Sequence, residues 1–118
     1  MTRKRNDDKS MEFGLWLRSQ EQIDSKLGYV ATNVDYLWRS YKTDKWMLIE
    51  EKRFGRSVPL WQSQCFKILD LACSRNRDYL GFHMLIFENT NPDDGKMWWD
   101  GKEIDKDELL EILAMDSK

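Results

Sequence analysis

The sequence predicts an α/β protein whose sheet is covered on both sides, and three observations carry that reading. Residues 33–53 hold two segments rich in aromatic and apolar residues, separated by the polar break Tyr41-Lys42-Thr43-Asp44. A break of that size suits an antiparallel hairpin. Both hairpin faces are largely apolar, with Leu37, Trp46 and Leu48 on one and Tyr36, Trp38, Met47 and Ile49 on the other. Strands apolar on both faces belong in the middle layer of an α/β/α arrangement. The run YLGFHMLIF at residues 79–87 is mostly apolar and reads as a further, central strand.

The elements follow in chain order. A first helix is expected over residues 10–22, with Ser10 as its N-cap and Phe13, Leu15, Trp16 and Leu17 as its apolar content. A short strand is expected near residues 27–31, followed by the hairpin. After Gly55-Arg56 a second helix runs from Ser57 or Val58 to Ser74, with Pro59 in its first turn and Trp61, Cys65, Ile68, Leu69 and Ala72 as its apolar stripe. Beyond the 79–87 strand, residues 89–95 form a loop containing Pro92 and Gly95. Residues 97–104 form a small hairpin turned at Asp100-Gly101. Asp105 and Glu108 have the spacing of a capping box, opening a last helix that reaches about Met115.

The hairpin also carries the chemistry. Centring its turn between Lys42 and Thr43 sets Asp35 opposite Glu50, Leu37 opposite Leu48 and Arg39 opposite Trp46. Directly opposed side chains have Cβ atoms roughly 4.5–5.5 Å apart, and carboxylate oxygens bind magnesium at about 2.0–2.1 Å, so one ion fits between Asp35 and Glu50. Lys52 follows Glu50 by two residues, so its amine falls on the same face. Two carboxylates opposed in a covered sheet repel unless a cation or a shared proton intervenes. A surface hairpin with cross-strand charge pairs would look similar at its ends, and a slip of one residue would present Glu51 and Arg53 instead.

These residues resemble the PD-(D/E)XK nuclease superfamily, whose core runs helix, three antiparallel strands, helix, strand. The resemblance covers nearly the whole chain and implies a three-layer α/β/α restriction-endonuclease-like core (αβββαβ) with a C-terminal hairpin and helix added. Asp35 matches the first acid of the family's pattern, and Glu50 and Lys52 match its (D/E)xK pair. The proline that names the pattern is replaced by Val34. The resemblance implies a metal-dependent DNA endonuclease that hydrolyses phosphodiester bonds, small and stand-alone in the manner of phage-like or Holliday-junction-resolvase-like members. DNA recombination or repair is the implied setting, and junctions or other branched DNA the implied substrates.

It further implies that Asp35, Glu50 and the backbone carbonyl of Glu51 hold Mg²⁺ or Mn²⁺, with Lys52 beside the attacking water. Some members add a glutamate from the first helix. Glu12 is the better candidate here, with Glu21 behind it, although an acid in a first helical turn is also favoured by the helix dipole alone. Gln62 matches a glutamine that several branches place in the next helix, or is a polar position on that helix's outer face.

Length and charge set the remaining bounds. With 118 residues the chain has room for one core, filled in part by six tryptophans and five phenylalanines. Residues 10–118 are read as that single domain, and residues 1–9, with Arg3-Lys4-Arg5, as a flexible basic tail. So small a domain has little surface beyond its site for gripping DNA, which makes a homodimer a plausible partner state. Trp98-Trp99 would then be an interface anchor, or else core. The net charge of −2 neither favours nor excludes nucleic acid, but Arg39, Lys42, Arg53 and Arg56 surround the carboxylates and are the candidate phosphate contacts.

Two cysteines, Cys65 and Cys73, fall about 12 Å apart along one predicted helix, too far to pair with each other. His83, the sole histidine, has no second histidine to form a site and reads as structural. No glycine-rich phosphate loop argues for a nucleotide cofactor. No long apolar segment argues for a membrane, so a reducing cytoplasm is expected, that of a host if the protein is viral. The competing functional class is a catalytically silent protein of the same fold that binds nucleic acid or regulates.

Overall fold

The structure, a computed structural model, describes residues 6–115, with side chains from residue 12 onward. Arg3-Lys4-Arg5 lies outside the described residues. The chain divides into two compact units, Met1–Asn33 and Val34–Lys118.

In the first unit, helix α1 spans Asn6–Arg18. It begins four residues before Ser10, so Ser10 lies inside the helix and does not cap it. Residues 6–9, read as tail, are helical instead. Two 3₁₀ turns follow, Glu21–Ile23 and Ser25–Leu27. The strand expected at residues 27–31 does not form. Asp24 caps the second turn by accepting from the Lys26 N–H at 2.9 Å, and Gly28 ends it at φ 101°, a left-handed conformation that breaks any extended run.

The second unit holds one five-stranded mixed sheet. Its elements are β1 (Tyr36–Arg39), β2 (Trp46–Lys52), α2 (Leu60–Cys73), β3 (Tyr79–Phe87), β4 (Met97–Trp99), β5 (Lys102–Ile104) and α3 (Lys106–Ala114). The strands lie in chain order, antiparallel at every step except β2–β3, which the α2 crossover makes parallel. The predicted hairpin register is observed, with Leu37 paired to Leu48 and Arg39 to Trp46.

Strand alternation sorts the side chains into two faces. Met47, Ile49, Leu85, Phe87, Met97, Trp99 and Ile104 share one, where they pack with Leu109 and Met115 from and beside α3. Trp38, on the same side, donates its indole N–H to the Leu113 carbonyl at 2.7 Å. The other face carries Leu48, Glu50 and Lys52 from β2 with Phe82 and Met84 from β3, and α2 meets it through Gln62 and Phe66. Trp98 and Trp99 thus part company, Trp99 entering the α3 core and Trp98 falling on the opposite face, half-buried.

Two details differ from the sequence reading. β2 is buried on both faces, but β1 is an exposed edge strand, with Leu37 61% accessible. Helix α2 is also rotated from its predicted stripe, so that Gln62 and Phe66 turn inward while Trp61 and Ile68 are exposed. Pro59 occupies its N-cap, not its first turn.

His83 sits between two acceptors, Nδ1 2.7 Å from Asp100 Oδ2 and Nε2 2.9 Å from the Leu80 carbonyl, and stacks on Trp99. Cys65 and Cys73 are free. Among the described residues no helix is long and apolar enough to cross a membrane.

The capping box forms as read: Asp105 accepts from the Glu108 N–H at 2.8 Å, and Glu108 accepts from the Asp105 N–H at 2.9 Å. Asp105→Ala is expected to lower stability by about 1 kcal/mol, measured by urea denaturation. Helix α3 closes the α3-side core, so the loss should register in global unfolding.

Candidate active site

Continuing the β1–β2 register by one residue sets Asp35 opposite Glu50, and two reciprocal bonds fix them there. The Asp35 N–H donates to Glu50 Oε1 at 3.2 Å, and the Glu51 N–H donates to Asp35 Oδ2 at 2.9 Å. Each carboxylate thereby engages the backbone of the other's strand. The second oxygen of Glu50, Oε2, lies 3.5 Å from Lys52 Nζ, and Lys52 donates to Gln62 Oε1 at 3.0 Å. Strand alternation brings Glu50 and Lys52 to one face, and the inward turn of α2 brings Gln62 to meet them.

The electrostatics follow from depth. Glu50 is only 3% accessible, and burial, reinforced by the neighbouring Asp35 carboxylate, holds its carboxyl above the usual carboxylate range. The Asp35 N–H and Lys52 oppose that rise without cancelling it. Asp35 itself is exposed, so the pair joins a desolvated acid to a solvated one. Tyr36, next to Asp35, is pushed above its ordinary value chiefly by Glu51.

The pair opens into a cleft of about 500 Å³ lined by Asp35, Glu50, Glu51, Lys52, Arg53 and Arg56, with Phe54, Ser57 and Pro59 completing the wall. Phe54 and Gly55 both take left-handed backbone, at φ 58° and 67°, which turns the chain sharply after the motif strand. Their N–H groups donate to Asn89 and Phe87 carbonyls at 3.0 and 2.9 Å, anchoring the turn to the end of β3. The Phe-Gly dipeptide was the available signal for this wall. Sequence reasoning passed over Phe54, Ser57 and Pro59.

Of the basic residues, the fold brings Arg53 and Arg56 to the cleft. Arg53 is paired with Glu51 at 3.1 Å. Arg39 and Lys42 stand elsewhere. Arg39 is four strand positions from Asp35, roughly 13 Å at the usual rise, and pairs with Asp44 at 2.7 Å. Lys42 lies in the hairpin turn. Glu12 belongs to α1 of the first unit and is exposed.

No family model, curated protein or solved structure matches the chain. The site therefore has to be read from its own residues.

Its donors are hard oxygens at the open end of the β1–β2 hairpin. No group of three or more His, Cys, Asp or Glu side chains capable of holding a metal occurs among the described residues. Asp35 and Glu50 form a set of two, which a backbone carbonyl can complete. The desolvated Glu50 carboxylate, held near a second acid and only partly offset by Lys52, is the feature a divalent cation would relieve. On that ground the residues fit magnesium or manganese.

Proposed function

We propose that the protein is a metal-dependent DNA endonuclease of the PD-(D/E)XK type, built on the three-layer core of that superfamily. The observation that carries the reading is the pairing of Asp35 with Glu50 across the hairpin, with Lys52 on the same face two residues on. The helix-then-strand order of that core is present in α2 and β3, whereas only two of its three preceding strands, β1 and β2, form.

In this reading Asp35, Glu50 and the Glu51 carbonyl would hold the cation. A bound Mg²⁺ or Mn²⁺ would supply Lewis acidity, lowering the pKa of a water and offsetting charge on the scissile phosphate. Lys52 Nζ, held by Gln62, directs an N–H toward the attacking water or the phosphate oxygens. The two reciprocal hydrogen bonds hold both carboxylates before substrate arrives, so little reorganisation is left for the reaction. Arg53 and Arg56 grip flanking phosphates, with the salt dependence that phosphate contacts impose. Structure-selective action on branched or junction DNA, by a homodimer, is the fuller form of the proposal, and recombination or repair the process it suits.

Thermal melting tests the metal directly. A ligand that binds only the folded state stabilises it by RT ln(1 + [L]/Kd), so Mg²⁺ or Mn²⁺ should raise the melting temperature of the wild type. No shift with either ion would remove the reading. Gln62 is a positioning residue. Gln62→Leu should slow cleavage about ten-fold, with Gln62→Glu restoring much of the rate because it returns an acceptor to Lys52. Equal rates in all three proteins would show that Gln62 only packs α2.

A second reading, a silent protein of this fold that binds nucleic acid or regulates, draws on one observation. Lys52 is already satisfied by Gln62 and Glu50. That protein would bind DNA and leave it intact.

A further inference from the structure

We propose that the cleft continues into a nucleobase subsite, floored by Phe82 and Met84, which takes an unpaired nucleotide of the DNA beside the scissile phosphate. The proposal rests on the nuclease reading above and names the substrate class of that site.

A second hollow, of about 290 Å³, opens beside α2 over Phe82 and Met84, with Val58, Ser63, Phe66 and Lys67 around it. Its lining residues neighbour those of the cleft in three places. Met84 is the register partner of Glu50 on the neighbouring strand, roughly 4.8 Å away. Phe66 is one helical turn beyond Gln62, which holds Lys52. Val58 lies between Ser57 and Pro59, both of which line the cleft. A nucleotide whose phosphate reached Glu50 and Lys52 would therefore carry its base toward this hollow.

The chemistry of the lining suits such a base. Phe66 and Phe82 stack with centroids 4.4 Å apart, and Met84 and Val58 extend the apolar surface. Lys67 is an exposed cation at the rim. An aromatic platform beside a cation is the arrangement by which proteins hold single-stranded nucleic acid, each stacked base adding to the affinity. Asp70 also lines the hollow, and its Oδ1 accepts from the Tyr79 phenol at 2.6 Å, which fixes the carboxylate as an acceptor for a base N–H. Burial and Asp70 push the Tyr79 phenol well above its ordinary value, so it remains the donor. A base in an intact duplex is stacked on both faces and bonded along its edge. An unpaired base has no edge pairing to break and reaches the hollow at the least cost.

The test compares two duplex oligonucleotides, one fully matched and one with a single unpaired 2-aminopurine. Wild-type protein should cut the unpaired substrate about ten-fold faster, in keeping with the worth of one stacked base. Phe82→Leu, which keeps apolar volume and removes the ring, and Lys67→Glu, at the exposed rim, should each bring that ratio toward one. Binding to Lys52→Ala protein should raise the 2-aminopurine fluorescence as the base leaves the DNA stack, and no rise would count against the subsite. Equal cutting of both substrates, or a ratio unchanged in both variants, overturns the subsite and leaves the nuclease standing. Failure of folded wild type to cut any DNA overturns both.

Discussion

Lys52→Ala is expected to slow metal-dependent DNA cleavage by about 10²–10⁴-fold, the range a positioned proton-transfer or charge-stabilising group contributes. Lys52 lies 3.5 Å from Glu50 and donates to Gln62 at 3.0 Å, both contacts within the site. Removing it also strips a buried carboxylate of its counter-charge. Glu50 should then favour its protonated form still more, and the variant should lose stability as pH rises. Single-turnover rates across pH separate these effects: a uniform loss points to the amine's part in the chemistry, and a loss confined to low pH and relieved as Glu50 ionises points to Glu50 alone.

Glu50→Gln should act in two directions at once. The folded protein holds the Glu50 carboxyl above its ordinary range, so it binds that proton more tightly than the unfolded chain does. The group favours folding fully below its unfolded pKa, and that contribution is lost as pH rises through the folded pKa. Metal-free Glu50→Gln should therefore melt a few degrees higher than wild type at pH 8, and the difference should disappear near pH 4. Metal reverses the order. Mg²⁺ should raise the melting temperature of the wild type and leave the variant where it was, and cleavage should fall at least 10²-fold because one anionic ligand is gone. Were the carboxylates merely structural, the pH effect would remain and the metal effect would be absent from both proteins.

The parts of the fold legible in the sequence are those written in short-range pattern. The hairpin register follows from a polar break flanked by apolar segments, and it sets Asp35 against Glu50. The 79–87 strand, the Asp100-Gly101 turn and the Asp105/Glu108 cap are each signalled within a few residues. Where the outcome depends on what lies across space, local pattern was insufficient. Leu27, Tyr29 and Val30 have the composition of a strand, but Asp24 and Gly28 close a 3₁₀ turn around Leu27. Trp61, Cys65, Ile68 and Ala72 form a regular helical stripe, yet Gln62 turns inward because Lys52 offers it a partner. An apolar β1 looked central, and chain order made it an edge.

The candidate site was legible in Asp35, Glu50, Lys52 and Gln62, which the fold gathers. It was not legible in its far wall, since Phe54, Ser57 and Pro59 enter through a left-handed turn anchored on β3. Nor did proximity in sequence place the cations correctly, for Arg39 and Lys42 sit close to Asp35 along the chain but at the other end of the hairpin. A strand carries neighbours apart at about 3.3 Å per residue, whereas a tight turn returns Arg53 and Arg56 to the cleft.

The most direct test of the central claim is cleavage of plasmid, linear, single-stranded and four-way-junction DNA by wild type and Lys52→Ala, each with Mg²⁺ or Mn²⁺ and with chelator. The nuclease account predicts cutting that requires the metal and is lost in the variant, with the preferred substrate marked by its structure. Folded protein that cuts none of these substrates with either metal would contradict it.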